Sequence, residues 1–375
     1  MARTTLARAK RLVVKVGTGT LTDGKGRFDR ENCARLGREL AEIARGRRLV
    51  LVTSGAVALG AEQLGWVRSK GKPWDIPTKQ ACAAVGQPHL MAAWGEAFAP
   101  HGLKVAQVLL TADDLANRKR FLNARRTFER LLQAGVVPVV NENDTVAVDE
   151  IKVGDNDTLA GLVAGCVEAG LVAMLTDVEG LYDRNPAEPG ARQIYDVPKV
   201  TAEVERVAGG AGTLQSTGGM ATKVRAAKKL AAQGVATALL SGRRKGALAA
   251  LLAGEPVGTL FAAGAERLTS RKGWLAAAAK GKGILIVDAG ARRALVEGGK
   301  SLLASGVKGV EGSFGVGDPV DVAVDPSRPF ARGLAGYGSE EVRRIAGLKT
   351  GEIERALGYK YLDEVVHRDD MVLLD

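Results

Sequence analysis

Leu12-Val13-Val14-Lys15-Val16-Gly17-Thr18-Gly19-Thr20 is the stretch that decides the fold. Aliphatic residues around a single lysine, in a run too short for a helix, read as a buried strand that small residues end abruptly. The same grammar recurs at residues 49–53, 105–110, 136–140, 171–176 and 235–240, with helical patterns in between. In the first interval Asp29 can cap a helix whose Cys33, Leu36, Leu40 and Ile43 fall along one face. Strands alternating with helices predict an α/β domain built on an open, mostly parallel sheet sandwiched by helices, its strands buried on both sides. Polar residues and glycines collect just after the strands, at Gly17-Thr18-Gly19, Ser54-Gly55, Asn141-Glu142-Asn143-Asp144 and Thr176-Asp177. Ligands bind at the carboxyl ends of strands in open α/β sheets, so these four clusters are expected to converge on one site.

Working outward, 375 residues with 46% hydrophobic and 25% charged content allow two folded domains and exclude a disordered chain. The stretch from Ala262 to Gly281, with Ser270-Arg271-Lys272 and an alanine run, precedes a differently patterned tail. Residues 1–262 are therefore read as the larger domain, 263–280 as a linker and 281–375 as a small, mostly β domain. That tail shows short strands at 284–287 and 320–324, glycine-rich segments at 306–317, and a helix after Ser339 with Glu340 and Glu341 in its first turn. Cys33, Cys82 and Cys166 lie too far apart for a disulfide framework or a zinc set, which fits a reducing cytoplasm. The basic start leaves no room for a signal-peptide apolar core, and no apolar stretch approaches membrane-spanning length.

The net charge of +11 raises a nucleic-acid reading, which its distribution counters. Residues 282–375 carry 13 Lys and Arg against 15 Asp and Glu, so the whole basic excess belongs to the first 281 residues. Polyanionic nucleotide substrates and a plain solvated surface explain that excess equally well.

Familiar nucleotide motifs are absent. Residues 19–26 approach a P-loop, but Gly26 stands where Ser or Thr should follow Lys25, and the next helix opens only at Asp29. The Rossmann fingerprint fails at Thr22. What remains is Lys15 at a strand end before Gly17-Thr18-Gly19-Thr20, and Lys223 beyond Thr217-Gly218-Gly219 at the start of a helix through Val224, Ala227 and Leu230. Glycine turns and helix N-termini offer N–H groups to phosphate, and the two ammonium groups add charge. Thr176-Asp177 ends an apolar strand and can offer hydroxyl and carboxylate to a ribose or adenine. Asn141-Glu142-Asn143-Asp144 and Gly154-Asp155-Asn156-Asp157 concentrate carboxylates and amides. Without a nearby histidine this donor set suits the α-ammonium of an amino acid better than a metal cage, and the EF-hand pattern lacks its twelfth-position Glu.

Taken in order, Lys15-Val16-Gly17-Thr18, Val52-Thr53-Ser54-Gly55-Ala56, the two acidic clusters, Thr176-Asp177 and Thr217-Gly218-Gly219-Met220-Ala221-Thr222-Lys223 resemble the amino acid kinase family, in particular its members that phosphorylate glutamate. The tail, through residues 283–291 and 315–320, is similar to a PUA domain. This resemblance implies an ATP-dependent transfer to the side-chain carboxylate of L-glutamate, with Mg²⁺ on the nucleotide and no dedicated protein metal site. It implies that Lys15 and Lys223 neutralise the transferring phosphoryl group while Asp157 orients them. It places Ser54, Gly55, Asp144 and Asn156 on glutamate, with Asn141 and Asp155 in support. Lys15, Gly17, Thr176 and Asp177, together with Thr217, Gly218, Gly219, Met220, Ala221, Thr222 and Lys223, would line the ATP site. Ser216 departs from the glycine common there in the family and puts the local loop shape in question.

The implied chemistry agrees with the residues. A glutamate carboxylate, pKa about 4.3, is already ionised at neutral pH and needs no general base, so scattered His89, His101 and His367 are read as structural or surface. The resemblance further implies a homo-oligomer, feedback inhibition by L-proline, and, since the chain is too short for a fused reductase, a separate glutamyl phosphate reductase. The competing classes are kinases acting on related carboxylates, an RNA-binding protein that uses the tail, and a sensor without turnover. An RNA partner is disfavoured by the tail's negative balance, and a sensor by the presence of both lysines.

Overall fold

The structure, a computed structural model, describes residues 3–66, 74–147, 156–209, 219–264, 274–276 and 279–374. The chain divides into two compact units, one holding Met1–Leu115 and Lys119–Arg267 and the other Ala116–Arg118 and Leu268–Asp375.

The first unit runs β1 (Arg11–Val16), α1 (Thr18–Leu21), α2 (Arg30–Ala44), β2 (Arg48–Thr53), α3 (Ala56–Leu64), α4 (Ile76–Phe98), β3 (Lys104–Leu110), α5 (Ala112–Ala116), α6 (Arg118–Gln133), β4 (Val136–Glu142) and α7 (Asn156–Cys166). It continues through β5 (Leu171–Thr176), the hairpin β6 (Leu181–Tyr182) and β7 (Gln193–Ile194), β8 (Asp196–Val197), α8 (Ala202–Ala208), α9 (Met220–Ala232), β9 (Ala236–Ser241), α10 (Ala247–Leu252) and β10 (Thr259–Phe261). All six strands expected from the sequence form. They lie side by side and parallel in a sheet of order β3-β4-β2-β1-β5-β9-β10-β8, with β10 antiparallel to β9.

Burial follows position in the sheet. Strands β1, β2, β4, β5 and β9 are almost wholly buried, as continuous aliphatic runs require when helices cover both faces. The expectation of two-sided burial fails at β3, where Lys104 and Gln107 are exposed. That strand lies at the sheet's edge, where the covering layers end. The short strands β8 and β10 were not anticipated, because two or three residues are too few for a periodic pattern to show.

The helices are fixed by caps and close contacts. The Asn32 N–H donates to the Asp29 carboxylate at 2.9 Å, and Cys33, Leu36, Leu40 and Ile43 turn inward from α2. Helices α3 and α4 meet backbone to backbone: a Cβ on Gly60 would lie 1.7 Å from the Cys82 carbonyl oxygen, and one on Gly86 would lie 1.8 Å from that of Ala56. Trp94 of α4 is fully buried and its indole N–H donates to Thr53 Oγ1 at 3.0 Å, anchoring the end of β2.

The chain builds outward from β1 through β2 to the β3–β4 pair, then crosses back to lay β5 on the other side of β1. Strand order therefore reverses at β1. In open α/β sheets such a reversal is where ligands bind, beyond the carboxyl ends of the strands, here those of β1, β2, β4 and β5.

The second unit is a separate, mostly antiparallel sheet of β11 (Gly283–Val287), β13 (Val307–Gly312), β14 (Pro319–Ala323), β15 (Ala331–Leu334) and β17 (Met371–Leu373), ordered β13-β11-β14-β15-β17. Strands β12 (Leu302–Leu303) and β16 (Glu364–Val366) pair beside it. Leu285, Val322, Tyr337, Ile345 and Val366 belong to its own core. The helix expected after Ser339 forms at Ser339–Ile345, and the Gly338 N–H donates to Glu341 Oε2 at 2.6 Å. Of the expected linker, residues 265–273 and 277–278 lie outside the described residues, while Trp274 and Leu275 are buried. No helix among the described residues is long and apolar enough to cross a membrane.

Candidate active site

Lys15, near the end of β1, lies in register with Val52 on one side and Met174 on the other, so an ammonium group sits in the middle of an apolar sheet. It is buried, as is Lys223 in the first turn of α9. Both charges are answered by Asp157 in the first turn of α7: Lys15 Nζ lies 2.5 Å from Oδ1 and Lys223 Nζ 3.0 Å from Oδ2. Asp157 is 0% exposed. Burial alone would raise its pKa, but the ammonium groups of Lys15 and Lys223 outweigh it and hold the carboxyl below the usual carboxylate range. Desolvating charges is expensive unless they are paired, and here one carboxylate serves two cations, one per oxygen. The result is a buried cluster with one excess positive charge at the switch point. Such a centre suits an anion that carries more than one negative charge.

Ser54 and Gly55 follow β2. Gly55 has φ 109°, a left-handed conformation that only glycine adopts without strain, and it opens α3. Asn156, the first residue of α7, reaches back to this turn. Its Nδ2 lies 3.0 Å from the Thr53 carbonyl oxygen, 2.8 Å from Ser54 Oγ and 3.2 Å from Asn141 Oδ1. Asn141, 2% exposed at the end of β4, is thereby joined to Ser54 through Asn156. The half-buried Asp144 lies in the turn that follows, braced by donation from Gln80 Nε2 to the Ala147 carbonyl oxygen at 3.2 Å. Its carboxylate has no hydrogen-bond or ion-pair partner among the described residues, and burial pushes its pKa up to about 6. A carboxylate desolvated without a cation is ready to accept one.

On the other side of β1, the Gly17 N–H donates to the Leu175 carbonyl oxygen at 3.1 Å and ties the glycine loop to β5. Thr176 is buried and donates to Asp177 Oδ1 at 2.9 Å. Asp177 is exposed and faces the loop, since a Cβ on Gly19 would lie 3.3 Å from its Oδ2. Gly219 caps α9, and Met220, Ala221 and Thr222 form the turn leading to Lys223, with Thr222 Oγ1 donating to the Gly219 carbonyl oxygen at 2.6 Å. Asp155, Thr217 and Gly218 lie outside the described residues.

Sequence reasoning passed over Arg243. Its guanidinium donates to the carbonyl oxygens of Gly19 and Thr22 and pairs with Asp29 at 3.2 Å, so it clamps the loop after β1 to the end of β9. The signal was present in Ser241-Gly242-Arg243-Arg244, a polar cluster at the end of the sixth expected strand. Gln87, in the middle of α4, carried no such mark. Cys33 and Cys166 are inert by comparison, their thiols pushed up to about 12 by burial.

Residues 10–240 match the model of the amino acid kinase family, and residues 283–357 match that of the PUA domain. The chain is 80% identical over 375 residues to the glutamate 5-kinase of Anaeromyxobacter dehalogenans, covering 100% of this chain and 99% of that one. It is 54% identical over 373 residues to the glutamate 5-kinase of Myxococcus xanthus, covering 99% and 98%. Among solved structures, carbamate kinase from Giardia lamblia bound to AMP-PNP superposes with a TM-score of 0.50 at 20% identity, over 68% of this chain and 99% of that one, a likeness of fold.

Proposed function

The chain belongs to the amino acid kinase family, in its glutamate 5-kinase branch, and from that membership together with the Lys15–Asp157–Lys223 cluster we infer the reaction. It transfers the γ-phosphoryl group of ATP to the side-chain carboxylate of L-glutamate, giving L-glutamyl 5-phosphate and ADP, the step that opens proline biosynthesis. The observation that carries this reading is the meeting of two buried ammonium groups on one carboxylate.

The chemistry brings two anions together. The attacking carboxylate is ionised at neutral pH, so the site needs charge compensation rather than a general base. Lys15 and Lys223 supply that compensation, and Asp157 fixes their positions without cancelling both charges. Electrostatic stabilisation from groups already oriented costs no reorganisation as negative charge moves between oxygens. Ser54, Gly55, Asn141, Asp144, Asp155 and Asn156 hold glutamate, Asp144 taking the α-ammonium group. Gly17, Thr176, Asp177 and the segment from Thr217 to Lys223 hold ATP.

Among the described residues no group of three or more His, Cys, Asp or Glu side chains is placed to hold a metal ion. Magnesium carried on ATP phosphates and water needs no such cage; it neutralises phosphate charge when bound with the nucleotide. The reading assigns the chemistry to residues 1–262, joined through 263–280 to the PUA region at 281–375. Family membership also supports a cytoplasmic homo-oligomer, inhibited by L-proline and supplying a separate glutamyl phosphate reductase.

A panel of amino acids, incubated with ATP, Mg²⁺ and hydroxylamine to trap acyl phosphates, tests the reaction. Glutamate alone should yield hydroxamate with matching ADP release. Equal yields from aspartate or acetylglutamate, or none from glutamate, would refute the assignment.

A further inference from the structure

The amides behind the acceptor pocket are ordered in one direction. Asn156 Nδ2 donates to Asn141 Oδ1 at 3.2 Å, Asn141 Nδ2 donates to Gln87 Oε1 at 2.9 Å, and Gln87 Nε2 donates to Gln107 Oε1 at 3.2 Å. Each carboxamide has one accepting oxygen and one donating nitrogen, so turning any one member puts donor against donor or acceptor against acceptor. Gln87 is 8% exposed and Asn141 2%, which leaves water little part in correcting an error.

That direction sets the chemistry at the pocket end. Because Asn156 presents Nδ2 to Ser54 Oγ at 2.8 Å, the Ser54 oxygen is used as an acceptor, and its hydrogen remains for an incoming carboxylate. The same orientation leaves Asn156 Oδ1 with no partner among the described residues. It is an acceptor suited to an ammonium group. Ser54 as donor and Asn156 as acceptor make complementary halves of a zwitterion site.

We propose that Gln87 is a positioning residue for the acceptor substrate: by accepting from Asn141 it holds the Asn141–Asn156–Ser54 set in the polarity that recognises an α-amino acid. The inference rests on the reaction proposed above. Gln87 lies on a different helix from every residue assigned to the pocket and acts only through Asn141.

Gln87→Met keeps the length of the side chain and removes the acceptor, so Asn141 loses its constraint. The expected result is a KM for glutamate raised roughly tenfold, as for loss of one partner in a buried polar pair, with kcat and the KM for ATP within about threefold of wild type. Calorimetric titration with glutamate should show the same weakening. Gln87→Glu keeps an oxygen facing Asn141 while Gln107 turns its amide, and should hold the KM for glutamate within about threefold. An unchanged KM in Gln87→Met overturns the proposal, as does equal impairment of both variants or a joint fall of kcat with both KM values. Should Gln87→Met not fold, a tenfold loss in Gln87→Glu still overturns it. Wild-type turnover of glutamate, measured first, separates failure of this inference from failure of the underlying reaction.

Discussion

At the scale of single residues, two carboxylates in one crevice are driven in opposite directions. Asp157 is held charged by its two lysines, whereas Asp144 is desolvated with no cation beside it among the described residues and has its pKa pushed up to about 6. The sign for Asp144 follows: its folded pKa exceeds the unfolded value, so the native state holds the extra proton between about 4 and 6 and pays to ionise above that window. On the proposed assignment, glutamate's ammonium group offsets this cost only when the carboxylate is charged. The KM for glutamate should therefore rise as pH falls below about 6, while the KM for ATP stays flat over the same range. Asp144→Ala should raise the KM for glutamate at pH 7.5 at least tenfold with little change for ATP, and should abolish this pH dependence. Steady-state kinetics across pH 5 to 8 check both points, and parallel shifts for the two substrates would remove Asp144 from the amino-acid site. Asp157 behaves oppositely, since its depressed pKa keeps the lysine cluster intact until acid conditions below the ordinary carboxylate range.

At the scale of elements, the site depends on two helices held at unusually short range. The α3–α4 contact admits no side chain at Gly60 or Gly86, and it places the Gly55 turn and Gln87 relative to β2 and β4. Gly86→Ala must push the helices apart, because its Cβ would meet the Ala56 carbonyl oxygen at 1.8 Å. A loss of about 1–3 kcal/mol in urea unfolding is expected, together with a raised KM for glutamate. Undiminished stability would mean that the contact yields without strain. These relations show what could be read in advance. The six long strands, the α2 cap at Asp29 and the polar clusters at strand ends were legible because each is a local pattern of a few residues. The Gly60–Gly86 crossing, the Gln87 relay and the clamp by Arg243 were not, because each joins residues that acquire meaning only when distant segments meet. Edge strand β3 was misjudged for the same reason, since its sequence is as aliphatic as its neighbours' and only its place at the border exposes it.

At the scale of the molecule, function rests on the reversal of strand order at β1. That topology brings Lys15 from the first strand and Lys223 from a helix late in the first unit onto opposite oxygens of one carboxylate. Neither lysine is informative alone. Their shared partner makes them a single charged device, placed between strand ends that carry amides and a desolvated carboxylate on one side and the glycine loop on the other. The basic excess lies in the first 281 residues, as polyanionic substrates would favour, whereas residues 282–375 are slightly acidic and the second unit has its own core. The steady-state kinetics of Lys223→Ala test this account most directly. It predicts a kcat lower by roughly 10²-fold or more, with the KM for glutamate changed only a few-fold, as for loss of a group whose charge matters most in the transition state. Near-normal turnover in a folded Lys223→Ala protein would contradict it.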